Sequence, residues 1–184
     1  MTEMREFGDI SLATPRLELR EFQASDQDAI QAYAGDTEVT RFTSWGPNTP
    51  DMTAAVLHTW LQEKNKTPRV EWPVAIVRRG DGVLIGGTGL SGVDWSTGTA
   101  EFGYVLLRSA WGCGFATEAS SAVTDWAFGY LRLKSLIAHC EPLNGVSLRV
   151  LNKLGFCHQE GLIEFEKANG DKRTFLALVR ARPE

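Results

Sequence analysis

The sequence predicts one α+β domain, residues 1–184, built on a mostly antiparallel sheet. A length of 184 residues, with 43% hydrophobic and 23% charged residues, is typical of a soluble globular protein of one domain. Strand-like segments dominate the middle of the chain, and short glycine-containing turns separate them. After residue 117 the apolar residues recur at helical spacing instead. Strands and helices therefore occur as separate runs along the chain, as in an α+β fold.

The N-terminal third predicts one strand and two helices. Apolar and charged residues alternate over 16–22, which predicts an edge-type strand. Ser25, with an aspartate three positions later, resembles a helix N-cap. Thr49 followed by Pro50 predicts the start of a second, amphipathic helix.

The rest of the chain predicts a meander followed by alternating helices and strands. Segments rich in β-branched and aromatic residues predict the three strands of the meander over 70–79, 82–93 and 99–107. A β–α–β crossover is expected near residues 105–140. Helical periodicity and short apolar runs predict the remaining elements, which are helices over 117–131 and 144–156 and strands over 135–141, 157–165 and 173–180.

Charge and cysteine content predict the compartment and exclude some partners. A formal net charge of −4 argues against a general nucleic-acid or membrane-surface binder. Three cysteines are too few, and odd in number, for a disulfide framework, so we expect a cytoplasmic protein. The first ten residues contain acids and no apolar core, unlike a signal peptide. No apolar run approaches the roughly 20 residues that span a bilayer.

The segment WGCGFATEA, residues 111–119, lies where a predicted strand ends and a helix begins. The first turn of a helix leaves backbone N–H groups without internal partners, and the helix dipole adds positive charge there. Glycines let the backbone turn sharply and approach a ligand closely. The segment therefore predicts either a cradle for phosphate oxygens or a tight turn with no ligand. It has neither the Gly-Lys-Ser/Thr of a P-loop nor the third glycine of a dinucleotide-binding loop.

Four ordered motifs identify a family resemblance over residues 14–180. They are TPRLELREFQASD, LIGGTGL, FGYVLLRSAWGCGFATEA and EPLNGVSLRVLNKLGF. Together they resemble the GNAT superfamily of N-acetyltransferases, and most closely the branch that contains the ribosomal-protein N-terminal acetyltransferases RimJ and RimL. The resemblance implies a GNAT-like fold, with a twisted, mostly antiparallel sheet of six to seven strands and about four helices on both faces.

The resemblance also implies acetyl-CoA as cofactor, with its pyrophosphate on the backbone amides from Trp111 to Ala116. The family pattern has Gln or Arg at its first position, where this chain has Trp111, an aromatic that the RimJ/RimL-like branch commonly carries. Only backbone atoms are required at the loop, so the side chain is free to vary. The residues expected to contact the cofactor are Val105, Leu106, Trp111, Gly112, Cys113, Gly114, Phe115, Ala116, Thr117, Asn144 and Ser147.

Acetyl transfer from a thioester to an amine requires a neutral amine, a stabilised oxyanion and a protonated thiolate. By resemblance, the strand over 99–107 diverges from its neighbour, so the amide of Val105 or Leu106 is expected to face the thioester carbonyl. From spacing alone, Asn144 is an N-cap and Ser147 a solvated first-turn residue. The resemblance implies instead that Asn144 contacts the cofactor and that Ser147 donates a proton to the CoA thiolate.

The base has two candidates, Glu101 and Glu166, and only one of them is expected to act. Either residue is otherwise an ordinary solvated glutamate at a strand end. A free glutamate has a pKa of about 4.3, so the active one needs a raised pKa or an intervening water. His139-Cys140 and Cys157-His158 predict no zinc site, because strand neighbours point to opposite faces. No metal is expected.

The leading interpretation is therefore an enzyme that transfers an acetyl group from acetyl-CoA to a primary amine. The acceptor is expected to be a protein N-terminal α-amine or a small amine, and a homodimer is possible because dimers are common in the branch. The alternative is a non-catalytic regulatory module that binds CoA. Asn144, Ser147 and the two candidate acids favour the enzyme.

Overall fold

A computed structural model describes residues 7–167 and 170–183. Within them, eight strands form one mixed sheet in the order β1-β2-β3-β4-β5-β6-β8-β7, and only the β5–β6 pairing is parallel. The predicted α+β class and mostly antiparallel sheet are confirmed. The strands are Ser11–Ala13 (β1), Leu17–Glu21 (β2), Trp72–Arg78 (β3), Leu84–Asp94 (β4), Thr99–Leu106 (β5), Ser135–Cys140 (β6), Cys157–Glu166 (β7) and Lys172–Ala181 (β8).

The strand count exceeds the expected six to seven because β1 adds a three-residue strand at one edge. That strand pairs with β2, which also pairs with β3, so the prediction of an edge strand over 16–22 is wrong. Leu17 and Leu19 are fully buried, as the alternation predicts. Alternation reports that one face of a strand is solvated. It does not report which strand is outermost.

In the described part of the chain, four α-helices cover the two faces of the sheet. They are Gln27–Ala34 (α1), Pro50–Glu63 (α2), Phe115–Gly129 (α3) and Gly145–Lys153 (α4). Helices α1 and α2 pack on one face and α3 and α4 on the other. The central strand β3 is buried on both sides, since Val74 and Ile76 join the α3–α4 core while Ala75 and Val77 join the α1–α2 core.

Helix starts follow the predicted chemistry in one case and depart from it in another. Thr49 caps α2, its hydroxyl accepting from the Met52 amide at 3.3 Å, with Pro50 as the first helical residue. Ser25 lies inside a 3₁₀ turn and caps nothing. The Asp26 carboxylate accepts instead from the Gln23 amide at 2.8 Å, so the cap prediction at Ser25 is wrong. An acid one position further along satisfies the backbone there.

Two sequence predictions fall partly outside the described residues. The N-terminal segment used to exclude a signal peptide includes residues 1–6, and the segment that joins the predicted strands over 157–165 and 173–180 includes residues 168–169. Among the helices that are described, none combines the length and apolar character needed to cross a membrane.

Candidate active site

The site is a cavity that opens where β5 and β6 separate. The two strands pair only from Thr99 to Glu101 opposite Ser135 to Ile137, and beyond that point they diverge. A cavity of about 1050 Å³ occupies the gap. Because it passes between the strands, side chains from both faces of the sheet line it. They include Phe42, Trp45 and Trp60 on the α1–α2 face and Asn144, Ser147 and Leu151 from α4.

The hydrogen-bond pattern of β5 decides which amides face the gap. The Leu107 amide donates to Ile85 O at 2.8 Å, and Val105 lies opposite Gly87. Residues on an antiparallel strand alternate between bonding one neighbour and facing the other way. The Val105 amide therefore faces β4, and the amides of Tyr104 and Leu106 face the gap. Of the two amides predicted for the thioester carbonyl, the geometry favours Leu106.

The glycine loop turns sharply, as its sequence predicts, and does so through left-handed conformations at both glycines. Gly112 and Gly114 have φ of +74° and +79°, and α3 begins at Phe115, two residues before the predicted start. A Cβ built on Gly112 meets no atom within 4 Å, so the space in front of the loop is open. The Trp111 amide donates to Arg108 O at 3.1 Å, which removes it from the predicted set of free amides.

An ion pair between Arg16 and Glu118 holds the glycine loop in place. Arg16 contacts Glu118, in the first turn of α3, with its Nε donating to Glu118 Oε2 at 2.7 Å. The same guanidinium donates to Cys113 O at 2.9 Å and lies 4.5 Å from the Phe115 ring centroid. Partial burial raises the pKa of Glu118, but hydrogen bonds from Thr14 and Arg16 outweigh it and lower the pKa. Glu118 is therefore an ionised structural residue that holds the loop through Arg16.

Ser147 and Asn144 lie together at the start of α4. Asn144 is the N-cap, and its Oδ1 accepts from the Ser147 amide at 3.1 Å. The Ser147 hydroxyl lies 2.8 Å from the Tyr104 hydroxyl, a partner that the sequence analysis missed. Burial raises the pKa of Tyr104 to about 12, which keeps this phenol protonated at neutral pH. Both hydroxyls line the cavity.

The two predicted base candidates lie in different surroundings. Glu101 lines the cavity, and its Oε1 lies 2.5 Å from Nδ1 of His139, a second residue that the sequence analysis did not place in the site. The hydrogen bond from His139 lowers the pKa of Glu101. Glu166 is exposed and does not line the cavity, since its neighbours Phe165 and Lys167 take the inward positions.

Further charged groups surround the α1–α2 side of the cavity. Burial, together with the charge of Glu63, raises the pKa of Glu71. Glu141 is 8% exposed and lies 3.5 Å from Arg173. Lys167 donates to Thr40 O at 3.0 Å and has a pKa lowered by burial. This end of the cavity thus combines aromatic walls with three carboxylates, of Glu71, Glu101 and Glu141, against two cations, Lys167 and Arg173.

Comparison with known proteins identifies the family. Over residues 16–157 the chain matches the acetyltransferase (GNAT) domain family. The chain belongs to the GNAT superfamily. This GNAT protein is 36% identical over 161 residues to the uncharacterised N-acetyltransferase p20 of Bacillus licheniformis, a match that covers 87% of this chain and 89% of that protein. It is an acetyl-CoA-dependent N-acyltransferase.

Solved structures share the GNAT fold at lower identity. The ribosomal-protein-S5-alanine acetyltransferase of Vibrio fischeri has a TM-score of 0.79 at 21% identity, covering 96% of this chain and 98% of that one. The spermidine N-acetyltransferase of Vibrio cholerae, in complex with CoA and spermine, has a TM-score of 0.79 at 18% identity, covering 92% and 97%. At these identities the likeness concerns the fold alone.

The residues of this GNAT chain fit the acyl donor that the superfamily uses. An open loop with two left-handed glycines precedes α3, and amides at the start of a helix suit phosphate oxygens. The gap beyond Glu101 gives a strand edge with unpaired amides, along which an extended arm can lie. Ser147 and Tyr104 lie on the α3–α4 side of that gap, whereas Glu101 and His139 lie on the α1–α2 side.

Proposed function

We propose that this enzyme transfers the acetyl group of acetyl-CoA to a primary amine, which is either a protein N-terminal α-amine or a small amine. The observation that carries the proposal is the cavity at the β5–β6 gap, because it joins a proton donor on one face of the sheet to a basic pair on the other. We assign the chain to the RimJ/RimL-like branch on its motifs and on the aromatic Trp111.

In this proposal the backbone of residues 112–117 binds the pyrophosphate, with Asn144 contributing to the cofactor site. Acetyl-CoA supplies the thioester. The Leu106 amide donates to its carbonyl oxygen, where negative charge develops as the amine attacks. Ser147 donates a proton to the departing sulfur, and the protonated Tyr104 hydroxyl, 2.8 Å away, supports that donation.

The base is proposed to act from the Glu101 side of the cavity and not from Glu166. Glu101 lines the cavity, whereas Glu166 points away from it at the end of β7. A base must lie within hydrogen-bond reach of the proton that it removes. Replacing Glu166 with Gln is therefore expected to leave turnover within about threefold of the wild type.

The lining of the cavity favours an acceptor that carries positive charge before it reacts. Glu71, Glu101 and Glu141 line the α1–α2 side, whereas Lys167 donates to backbone carbonyls and Arg173 is paired with Glu141. An α-amine with a pKa of about 7.8 is roughly a quarter neutral at pH 7.4, whereas a lysine amine is neutral about once in a thousand molecules. An α-amine acceptor thus needs only modest help from a base.

Acetyl-CoA-dependent transfer to two panels of amines tests this function. One panel contains short peptides with free N-termini, and the other contains small diamines and aryl-alkyl amines. We expect amine-dependent release of the CoA thiol with members of one panel, and N-terminally blocked peptides serve as the control for the first. Binding of acetyl-CoA without transfer to either panel would instead support a CoA-binding regulatory module.

Location and assembly complete the proposal. We propose a cytoplasmic enzyme, because Cys113, Cys140 and Cys157 are all free thiols. We also propose a homodimer, because dimers are common in the RimJ/RimL-like branch. Sedimentation equilibrium of the full chain tests this.

A further inference from the structure

The closest polar contact at the point where the sheet splits joins β5 to β6. Glu101 lies opposite Ile137 in the parallel register, and His139 is two residues further along β6. Residues two apart on a strand share a face, so Glu101 and His139 emerge on the same side. His139 Nδ1 lies 2.5 Å from Glu101 Oε1. The pair therefore links the two strands at the point where they separate, with Glu101 the last paired residue of β5 and His139 just beyond the last paired residue of β6.

The surroundings of the pair decide which imidazole nitrogen carries the hydrogen when His139 is neutral. The His139 side chain is 18% exposed, lines the cavity and packs with its ring centroid 5.4 Å from that of Phe165. An ionised carboxylate has no proton to donate, so Nδ1 carries the hydrogen that Glu101 accepts. A neutral imidazole protonated at Nδ1 keeps its lone pair at Nε2. His139 thus has one basic nitrogen left for a ligand in the cavity.

We propose that His139 Nε2 is the general base of acetyl transfer and that Glu101 is its positioning residue, an inference that rests on the proposed function. The amine nitrogen forms its bond to the acetyl carbon while Nε2 takes the proton that the nitrogen loses. The carbon–sulfur bond breaks with its electron pair on sulfur, which takes a proton from the Ser147 hydroxyl. The imidazolium then returns its proton to solvent, and the serine regains one.

Charge in the site explains why the histidine and not the carboxylate accepts the proton. The hydrogen bond from His139 lowers the pKa of Glu101, which weakens that carboxylate as a base. The imidazolium formed during the reaction is stabilised by the negative charge of the Glu101 carboxylate, whose Oε1 lies 2.5 Å from Nδ1. Further charged groups on neighbouring elements are Glu71 on the β3 side, Glu141 after β6, Arg173 on β8 and Lys167 after β7.

Acid and base then lie on opposite faces of the sheet. His139 and Glu101 occupy the α1–α2 face, with the aromatic and acidic walls that suit an amine. Ser147 occupies the α4 side, next to Tyr104. A thioester held in the gap between β5 and β6 would therefore have its attacking amine on one side and its leaving sulfur on the other.

Three variants separate this assignment from a base role for Glu101 itself. We expect His139→Gln to lower kcat/KM by about 100-fold to 10,000-fold, the usual contribution of a general base. Glu101→Gln keeps an oxygen that accepts from Nδ1, so we expect a smaller loss of about 10–100-fold. His158→Gln, at an exposed histidine on β7, is the matched control and should be indistinguishable from wild type. The melting temperature and the Kd for acetyl-CoA report folding and the cofactor site.

The pH profile gives a readout that a structural role would not move. With an acceptor of low basicity, whose own titration lies below the range measured, a histidine base gives an acid limb in kcat/KM, because protonation of Nε2 removes the base. Glu101→Gln removes the negative charge that stabilises imidazolium, so this limb moves to lower pH. In His139→Gln the limb disappears.

The inference is overturned if His139→Gln keeps the wild-type rate and acid limb, or if Glu101→Gln is the more damaging change and its loss is insensitive to pH. Either result with an active wild-type enzyme leaves the proposed acetyl transfer intact and removes only His139 as the base. A wild-type enzyme that binds acetyl-CoA but acetylates no amine would instead remove the proposed function.

Discussion

Replacing the loop glycines by alanine tests whether the loop conformation serves a ligand. Gly112 and Gly114 have φ of +74° and +79°, where an L-residue costs about 1–2 kcal/mol. A Cβ on Gly112 meets no atom within 4 Å, and one on Gly114 meets only the end of the Arg16 side chain at 3.5 Å. Arg16 contacts the Cys113 carbonyl and the Phe115 ring, but no packed atom fixes φ at the two glycines, so the alanine variants are expected to relax at those positions.

If the loop relaxes, the strain energy lowers the affinity for acetyl-CoA and does not lower the free energy of unfolding. The bound loop must regain its original conformation, so Gly112→Ala and Gly114→Ala should each raise the Kd for acetyl-CoA by about 5–30-fold, the equivalent of about 1–2 kcal/mol. Gly92→Ala is the matched control. Gly92 has φ of +57° near the end of β4 that lies away from the loop, also with no atom within 4 Å of a Cβ.

Isothermal titration calorimetry with acetyl-CoA measures these constants directly. Gly92→Ala should bind as the wild type does. If both loop variants also bind within twofold of the wild type, the loop glycines relieve crowding in a turn and the phosphate-cradle argument is refuted.

Three further predictions concern the acid, the loop cysteine and the core. Ser147→Ala should lower kcat by at least about 100-fold while the Kd for acetyl-CoA changes little. Tyr104→Phe, which removes only the partner hydroxyl, should lower kcat less. Equal and small losses of kcat in the two variants would argue against a proton donor at this position. Cys113, exposed within the loop, should be alkylated more slowly when CoA is present, and equal labelling rates would place CoA elsewhere. Trp72 is fully buried among Trp95 and other rings, so Trp72→Ala should cost about 3–5 kcal/mol of unfolding free energy in a urea titration.

The local parts of the site could be predicted from the sequence because their chemistry depends on near neighbours in the chain. Gly112 and Gly114 take the left-handed conformation that a strand-to-helix turn requires, and Asn144 caps α4 with its side chain on the Ser147 amide. Each of these features depends on a spacing of three residues or fewer.

The contacts across the sheet could not be predicted, because they depend on register and on where strands separate. Tyr104 meets Ser147 across 43 positions of sequence, and no short-range pattern indicates that pairing. The place of His139 in the site could have been inferred from the strand register. A parallel crossover that places Glu101 beside Ile137 also places His139 on the same face, but the register had to be known first. The position of Glu166 could not be predicted for the same reason. A shift of one residue along β7 decides whether a side chain faces the cavity or the solvent.

The melting temperature with and without acetyl-CoA, with ATP and NAD as controls, tests the central claim that the split sheet and the glycine loop bind this acyl donor. A ligand present at about 100 times its Kd adds about 2.7 kcal/mol to the unfolding free energy. For a chain of this size that corresponds to a rise of about 5–10 °C. We expect this rise with acetyl-CoA and none with ATP or NAD. No rise with acetyl-CoA, or an equal rise with all three nucleotides, would contradict it.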